Sequence, residues 1–126
     1  MQIYNAEIES ADVTLDRGCF LSAWVFVKFA DGSQGFGGFV LGALPSAKAG
    51  DHANQPNFAA EFLTAVMAAA GVESWKALVG KTIRIKKENS LGPILAIGHI
   101  YKDDLWFHPK ERFEGMRGAT LEARKQ

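Results

Sequence analysis

The chain has 126 residues, of which 48% are apolar and 22% are charged, and its 14 basic and 14 acidic residues cancel. This length and composition indicate one globular domain and exclude a disordered chain. The charge balance excludes the global positive field on which a dedicated duplex-DNA binder depends. Cys19 is the only cysteine, which excludes an internal disulfide and a multi-cysteine metal site.

Targeting signals are not evident in the sequence. Residues 1–5 lack the basic and apolar regions of a secretory signal, and no apolar run reaches the roughly 20 residues that span a bilayer. We therefore expect a cytoplasmic protein without a membrane segment.

The N-terminal third predicts strands. Residues 2–9 fit a half-exposed strand, and residues 12–18 place Val13 and Leu15 on one face before a turn at Asp16-Arg17-Gly18. Residues 19–41 then predict a β-hairpin, in which a long apolar run reverses at Asp31-Gly32 through a type I′ turn.

The outgoing strand of this hairpin is apolar on both faces, which is typical of a central strand that is covered on both sides. We expect a helix to cover one face and a loop or a second subunit to cover the other. The second face therefore predicts a homodimer.

A long loop and one main helix follow the hairpin. Residues 42–55 are small, polar and turn-forming, and such long connections are commonly functional or disordered. Asn57 is expected to cap a helix that begins at Phe58 and ends at Gly71. Ser74 is then expected to cap a short turn that stops at Gly80.

The remaining sequence predicts a second hairpin. Residues 81–88 alternate, with Ile83 and Ile85 inward, and residues 94–101 return as its partner. The fold class is thus α+β, a mainly antiparallel sheet of about five strands with one main helix packed on it. Residues 1–109 form the domain, and residues 110–126 are expected to be a frayed helix or a disordered charged tail.

A basic segment within residues 81–87 suggests a binding site. Its cations, together with aromatic side chains expected to be exposed, form a hypothetical site where a ring stacks and a phosphate is neutralised. The candidate ligand- or partner-binding residues are Arg17, Trp24, Phe36, Arg84, Lys86, His99 and Trp106. The alternative, which we favour, is structural: Arg84 and Lys86 form the solvated face of an edge strand, and Trp24 and Phe36 are core residues.

Catalytic signals are weak. The spacing of His99, Asp103, Asp104 and His108 permits a metal site, but such residues are more often ordinary polar contacts. The glycine-rich segment 34–38 lacks the lysine and the following helix of a phosphate loop, and no serine or cysteine lies in a nucleophile elbow. We expect no catalytic residue, no metal and no cofactor, and hence a protein that is not an enzyme.

Several short motifs carry a resemblance to a known group of proteins. The chain resembles a family of small bacteriophage and prophage proteins over nearly everything up to Pro109, although members often carry Asp-His-Gly where this chain has Asp16-Arg17-Gly18. The resemblance implies a bacterial host cytoplasm and carries over no catalytic residue. Its motifs are Asp16-Arg17-Gly18, Leu21-Ser22-Ala23-Trp24, Gln34-Gly35-Phe36-Gly37-Gly38, Gly71-Val72-Glu73-Ser74-Trp75, Leu78-Val79-Gly80-Lys81, Ile97-Gly98-His99 and Trp106-Phe107-His108-Pro109.

Three functional hypotheses follow. The first is a non-enzymatic phage accessory protein that binds a host protein or a small signalling nucleotide stoichiometrically, for example to inhibit a CRISPR effector. The second is a single-stranded nucleic-acid-binding protein of phage replication or recombination, which uses residues 81–87 and stacking aromatics. The third and least favoured is a metal-dependent hydrolase at His99 and His108.

Overall fold

A computed structural model of the chain describes residues 1–43 and 57–125, with the backbone alone for residues 119–125. The predicted loop 42–55 therefore lies almost entirely outside the described residues. Within these ranges the fold consists of one antiparallel sheet of seven strands and two helices. This confirms the α+β prediction, while the expected numbers of about five strands and one main helix are too small. The elements are β1 (Gln2–Asp16), β2 (Phe20–Phe29), β3 (Gly32–Gly37), β4 (Gly42–Ala43), α1 (Phe58–Ala70), a 3-10 turn (Trp75–Leu78), β5 (Thr82–Lys87), β6 (Ile94–Gly98), β7 (Trp106–Phe107) and α2 (Pro109–Lys125).

The strand order is β3-β2-β1-β5-β6-β7, and β4 pairs with the start of β2. Both helices pack on one face, which we call the inner face, and the opposite face is the outer face. Aromatic contacts show this arrangement: Phe62 of α1 stacks on Phe36 of β3, and Phe113 of α2 contacts Phe107 of β7. No described helix is long and apolar enough to cross a membrane.

β1 joins two halves of the sheet. Its residues 2–7 pair with β5, and its residues 7–16 pair with β2. The register shifts between Ile8 and Ser10, so a bulge at Glu9 separates the two predicted segments, which are one continuous strand. A bulge moves the following side chains by one position, which explains the imperfect alternation of the sequence here.

The hairpin of residues 19–41 is confirmed as β2 and β3, but the prediction of a type I′ turn is wrong. Phe29 pairs with Gly32, so Ala30 and Asp31 are the central turn residues, and neither has a positive φ. Gly32 has a φ of 131°, and two successive positive φ angles occur in the turn between β1 and β2, at Arg17 (53°) and Gly18 (71°). Two successive residues of this kind match the right-handed twist of the flanking strands.

The local helix signals behave as expected at α1. The Asn57 side chain accepts a hydrogen bond from the backbone N–H of Ala60 at 3.0 Å, and Gly71 ends the helix with φ of 70°. The buried side chains are Phe58, Phe62, Val66 and Ala69. The expected cap at Ser74 is wrong, because its side chain makes no capping hydrogen bond.

The core continues past the predicted domain boundary at Pro109. Residues 110–125, expected to be a frayed helix or a tail, are helical. Phe113 is buried, and its ring centroid lies 4.5 Å from that of Phe58. The first turns of α2 therefore complete the aromatic core between the helices and the sheet.

β5 is an interior strand, between β1 and β6. The interpretation of Arg84 and Lys86 as the face of an edge strand is therefore wrong. Lys87 on the inner side of β5 is buried, and its ammonium donates to the Gln34 side chain at 2.7 Å and to the Ser90 carbonyl at 2.9 Å. These bonds compensate the cation for its lost hydration.

Three polar side chains stabilise the tip of the β1–β2 hairpin. Asp16 accepts hydrogen bonds from Ser22 at 2.5 Å and from Thr14 at 2.9 Å. These bonds favour the ionised carboxylate and lower the pKa of Asp16. A lowered folded-state pKa stabilises the fold above the unfolded-state pKa, and that contribution is lost as pH falls through the folded-state value.

We therefore expect wild type to lose its stability advantage over Asp16→Asn as the pH falls below about 3.8. Urea unfolding at several pH values between 7 and 2.5 measures this difference. In a Ser22→Ala background, which lacks the main donor to Asp16, the pH dependence of the difference should be smaller. An advantage that stays constant over this range would contradict the assignment.

Candidate partner-binding surface

The outer face of the sheet carries an exposed aromatic pair, which we call the aromatic platform. Its members, Trp24 and Phe26 of β2, are 38% and 41% exposed. Their ring centroids lie 5.8 Å apart with an interplanar angle of 24°. Because successive side chains alternate across a strand, both rings lie opposite the helices. The predicted second apolar face of this strand is thus present.

Glycines in the neighbouring strand make room for the platform. A Cβ at Gly35 would lie 3.0 Å from the Phe26 ring, and one at Gly38 would lie 2.3 Å from the Trp24 ring. A Cβ at Gly37 would lie 2.2 Å from the Ala23 carbonyl oxygen. The aromatic rings therefore lie directly on this glycine-rich segment, which we call the glycine bed.

Acidic side chains border the platform on β1. Asp12 lies opposite Trp24, and Glu7 lies opposite Lys28, in the register of β1 and β2. Glu9, at the bulge between them, accepts a hydrogen bond from Ser33 at 2.9 Å. The platform is thus apolar at its centre, with acids and one lysine at its border.

A separate basic cluster surrounds Trp106 on the same outer face. The Lys86 ammonium lies 4.1 Å from the Trp106 ring centroid, and the Arg84 guanidinium carbon lies 4.8 Å from it. Gly98 lies beneath this ring, since a Cβ there would be 2.7 Å from the indole. The arrangement is that of cation–π contacts within one chain.

The hydrogen bonds of Arg84 hold the loop between β6 and β7. Its Nε donates to the His99 carbonyl at 2.7 Å, its Nη2 donates to the Lys102 carbonyl at 3.1 Å, and its Nη1 contacts Asp103 at 3.2 Å. All three nitrogens of the guanidinium are therefore engaged within the protein. This role requires no phosphate.

His99 caps a turn in the same loop. Its Nδ1 accepts hydrogen bonds from the backbone N–H groups of Tyr101 at 3.0 Å and Lys102 at 3.2 Å. That nitrogen therefore has no proton of its own, and the imidazole proton lies on Nε2. Within the described residues, no three histidine, cysteine or acidic side chains are grouped to hold a metal ion, so the hypothetical site at His99, Asp103, Asp104 and His108 is not assembled there.

The seven candidate residues do not form one site. Arg84, Lys86, His99 and Trp106 are close together, whereas Arg17 lies at the tip of the β1–β2 hairpin. Asn5 pairs with Arg84, and the eleven residue-to-residue steps along extended β1 from Asn5 to Asp16 span roughly 35 Å. One small ligand cannot contact both arginines.

The expectation that Phe36 is exposed is wrong. Phe36 is 3% exposed and lies on the inner face, where it stacks on Phe62. Trp24, in contrast, is exposed on the outer face. The alternative prediction that both residues are core residues is therefore confirmed for Phe36 and wrong for Trp24. The residue that sequence reasoning missed is Phe26, whose signal was its position two residues after Trp24 on the same strand face.

An open groove of about 470 Å³ lies on the helical side, between α1 and α2. Alanines of α1 form part of its lining, together with residues 105–108. The Glu61 carboxylate accepts a hydrogen bond from Arg112 Nε at 2.6 Å across it. The ion pair therefore connects the two helices within the groove.

Comparison of the chain with protein-family models, with curated proteins and with solved structures finds no match.

The glycine bed gives a stability prediction. Gly37→Ala should lower the free energy of unfolding by about 3 kcal/mol or more, because its φ of 127° disfavours a side chain and its Cβ would meet backbone. Gly42→Ala is the matched control, since nothing lies within 4 Å of its Cβ, and it should change stability by less than about 1 kcal/mol. Urea unfolding measures both, and equal effects would refute the packing assignment.

The role of Arg84 gives a second prediction. Arg84→Ala should cost about 2 to 3 kcal/mol, because it removes three hydrogen bonds from a partly buried guanidinium. It should also speed amide exchange at Leu105, whose N–H donates to the Lys102 carbonyl. Lys86→Ala, which removes one cation–π contact, should cost less than about 1 kcal/mol. Unchanged exchange at Leu105 in Arg84→Ala would exclude the proposed loop contact.

Proposed function

We propose that the protein is a non-enzymatic binding protein that holds a protein partner on the aromatic platform. The observation that supports this most directly is the exposure of two adjacent aromatic rings on a rigid sheet. Fully desolvated aromatic side chains at the centre of an interface contribute most of the binding free energy in many complexes. Here the rings are already ordered by the glycine bed, so little conformational entropy is lost on binding.

The border charges favour a protein partner over a nucleic acid. Asp12 lies directly opposite Trp24, and Glu7 and Glu9 precede it on the same strand. Phosphates brought to the platform would be repelled by these acids, whereas a neutral or basic protein surface would not.

The partner we propose is a host protein, for example a component of a bacterial defence system such as a CRISPR effector. This step is supported by the resemblance of the chain to bacteriophage and prophage proteins. Stoichiometric binding fits a small domain whose described polar clusters, at Asp16, Arg84 and Lys87, are engaged in holding its own fold.

Single-stranded nucleic acid is the rival partner, and the exposed stacked rings favour it, since bases stack on such side chains. The basic residues that would have to neutralise the phosphates of a nucleic acid are less suited to that role. The guanidinium of Arg84 is already hydrogen-bonded to the loop after β6. Lys28, which follows Phe26 by two residues on β2, lies opposite the acidic side chain of Glu7 on β1. Binding of a signalling nucleotide would also need cations for its phosphates, so the same argument disfavours it.

The platform can be tested with matched variants. Trp24→Ala and Phe26→Ala should each weaken partner binding at least about tenfold, while Tyr101→Ala, which removes an 84% exposed aromatic elsewhere, should leave it unchanged. Isothermal titration with purified CRISPR effectors, cyclic nucleotides and single-stranded DNA measures affinity and stoichiometry.

Binding of an effector at one-to-one stoichiometry, with loss in both platform variants, is the expected outcome. Tight binding of DNA that falls steeply with salt would favour the rival. Full effector affinity in Trp24→Ala, with an unchanged circular dichroism spectrum, would overturn the platform assignment.

A further inference from the structure

The second half of β1 presents an edge of the sheet that no described strand covers. On one side of β1, residues 2–7 pair with β5. The last backbone hydrogen bonds on this side are made by Ile8, whose N–H donates to the Lys81 carbonyl and whose carbonyl accepts from the Gly80 N–H. Residues 10–16 pair with β2 on their other side. An unpaired strand of seven residues offers roughly 23 Å of backbone to another chain.

The direction of the backbone groups on this edge follows from the bonds of β2. Leu21 and Ala23 of β2 accept from Leu41 and Gly38 on the side away from β1. The intervening residues of β2 must therefore bond to β1, where their partners are the even-numbered residues. Ala11 and Val13 consequently direct their N–H and C=O groups to the unpaired edge. Leu15 directs its N–H group there, while its carbonyl accepts a hydrogen bond from the Gly18 N–H in the turn at 3.2 Å.

All three residues are apolar, and two of them are exposed. Val13 is 42% and Leu15 is 48% exposed, although both are on the inner-face side of β1. Natural edge strands that stay free in solution usually carry charged residues, proline or a bulge, not exposed apolar side chains. The apolar side chains here therefore favour pairing of this edge with another strand.

We propose that a second copy of this chain pairs with this edge, antiparallel, about a two-fold axis at Val13. In this register Val13 lies opposite the partner's Val13, and Ala11 lies opposite the partner's Leu15. The two copies of Val13 then exchange two hydrogen bonds, and each Leu15 N–H donates to the partner's Ala11 carbonyl, which gives about four hydrogen bonds. The apolar side chains of both copies form one ladder on the inner-face side.

Charge selects this register over its neighbours. A two-fold axis at Asp12 would place the two copies of Asp12 opposite each other, and an axis at Thr14 would place Asp12 opposite the partner's Asp16. Like charges directly opposite each other destabilise a strand pair. With the axis at Val13, Asp12 lies opposite the partner's Thr14, and Ser10 lies opposite the partner's Asp16, so each acid faces a hydroxyl group.

The pairing would join the two sheets into one, with both outer faces on the same side. In the joined sheet the strand order is β2, β1, then β1 and β2 of the partner, so the two copies of Trp24 are three strand spacings apart. They are also offset by two residues along the strands, which places them roughly 16 Å apart. The dimer proposal does not depend on the proposed function. If the proposed function also holds, a partner protein would contact two aromatic platforms on one surface of the dimer.

The oligomeric state tests the proposal directly. Light scattering at roughly 100 µM should give twice the chain mass for wild type, because dimer population depends on protomer concentration. Val13→Lys places two ammonium groups at the axis and should weaken dimerisation at least about tenfold. Leu91→Lys is the control, at a 97% exposed leucine in the turn between β5 and β6, away from the edge, and should remain dimeric. A monomeric wild type, or a Val13→Lys dimer of wild-type affinity, would overturn the proposal.

A disulfide test examines the register. In a Cys19→Ser background, Asp12→Cys and Thr14→Cys proteins should cross-link to each other when mixed and oxidised, and neither should cross-link alone. The positions form a pair without direct hydrogen bonds, with Cα atoms about 4.5 Å apart, which a disulfide can bridge. Cross-linking of either protein alone would overturn the register. Both tests use the isolated protein, so their outcome is separate from that of the partner titrations.

Discussion

β1 is the strand on which the rest of the structure depends, because it pairs with different partners along its length. Residues 2–7 bond to β5, and residues 7–16 bond to β2, with the bulge at Glu9 between them. Without this strand, the hairpin β2–β3 and the hairpin β5–β6 would not belong to one sheet. The inner face against which α1 and α2 pack, and the outer face that carries the aromatic platform, both follow from this bridging.

Local signals were sufficient to predict several elements. Asn57 and Gly71 act through their own side-chain and backbone chemistry, so the bounds of α1 could be predicted from the sequence. The alternation of Ile83 and Ile85 likewise identified the inner side of β5. These features depend on neighbours within a few residues, which is why the sequence was informative about them.

Features that depend on distant partners could not be predicted. The bulge in β1 arises where its pairing changes from one partner to another, and β5 became an interior strand only through β1 and β6. The role of Arg84 needs the carbonyl groups of a loop about fifteen residues away. For Phe36, the surrounding glycines gave no alternation of apolar and polar residues, so its face was undetermined until Phe62 of α1 lay against it.

Lys87 has a consequence for the chemical reactivity of the chain. Its amine is enclosed between Gln34, the Ser90 carbonyl and the Phe29 ring. Acylating reagents must reach an amine from solvent, so in the native protein they meet the surface lysines long before this one. Modification at this position therefore reports the opening of the sheet itself, and a mass spectrometer could follow that opening at a single side chain.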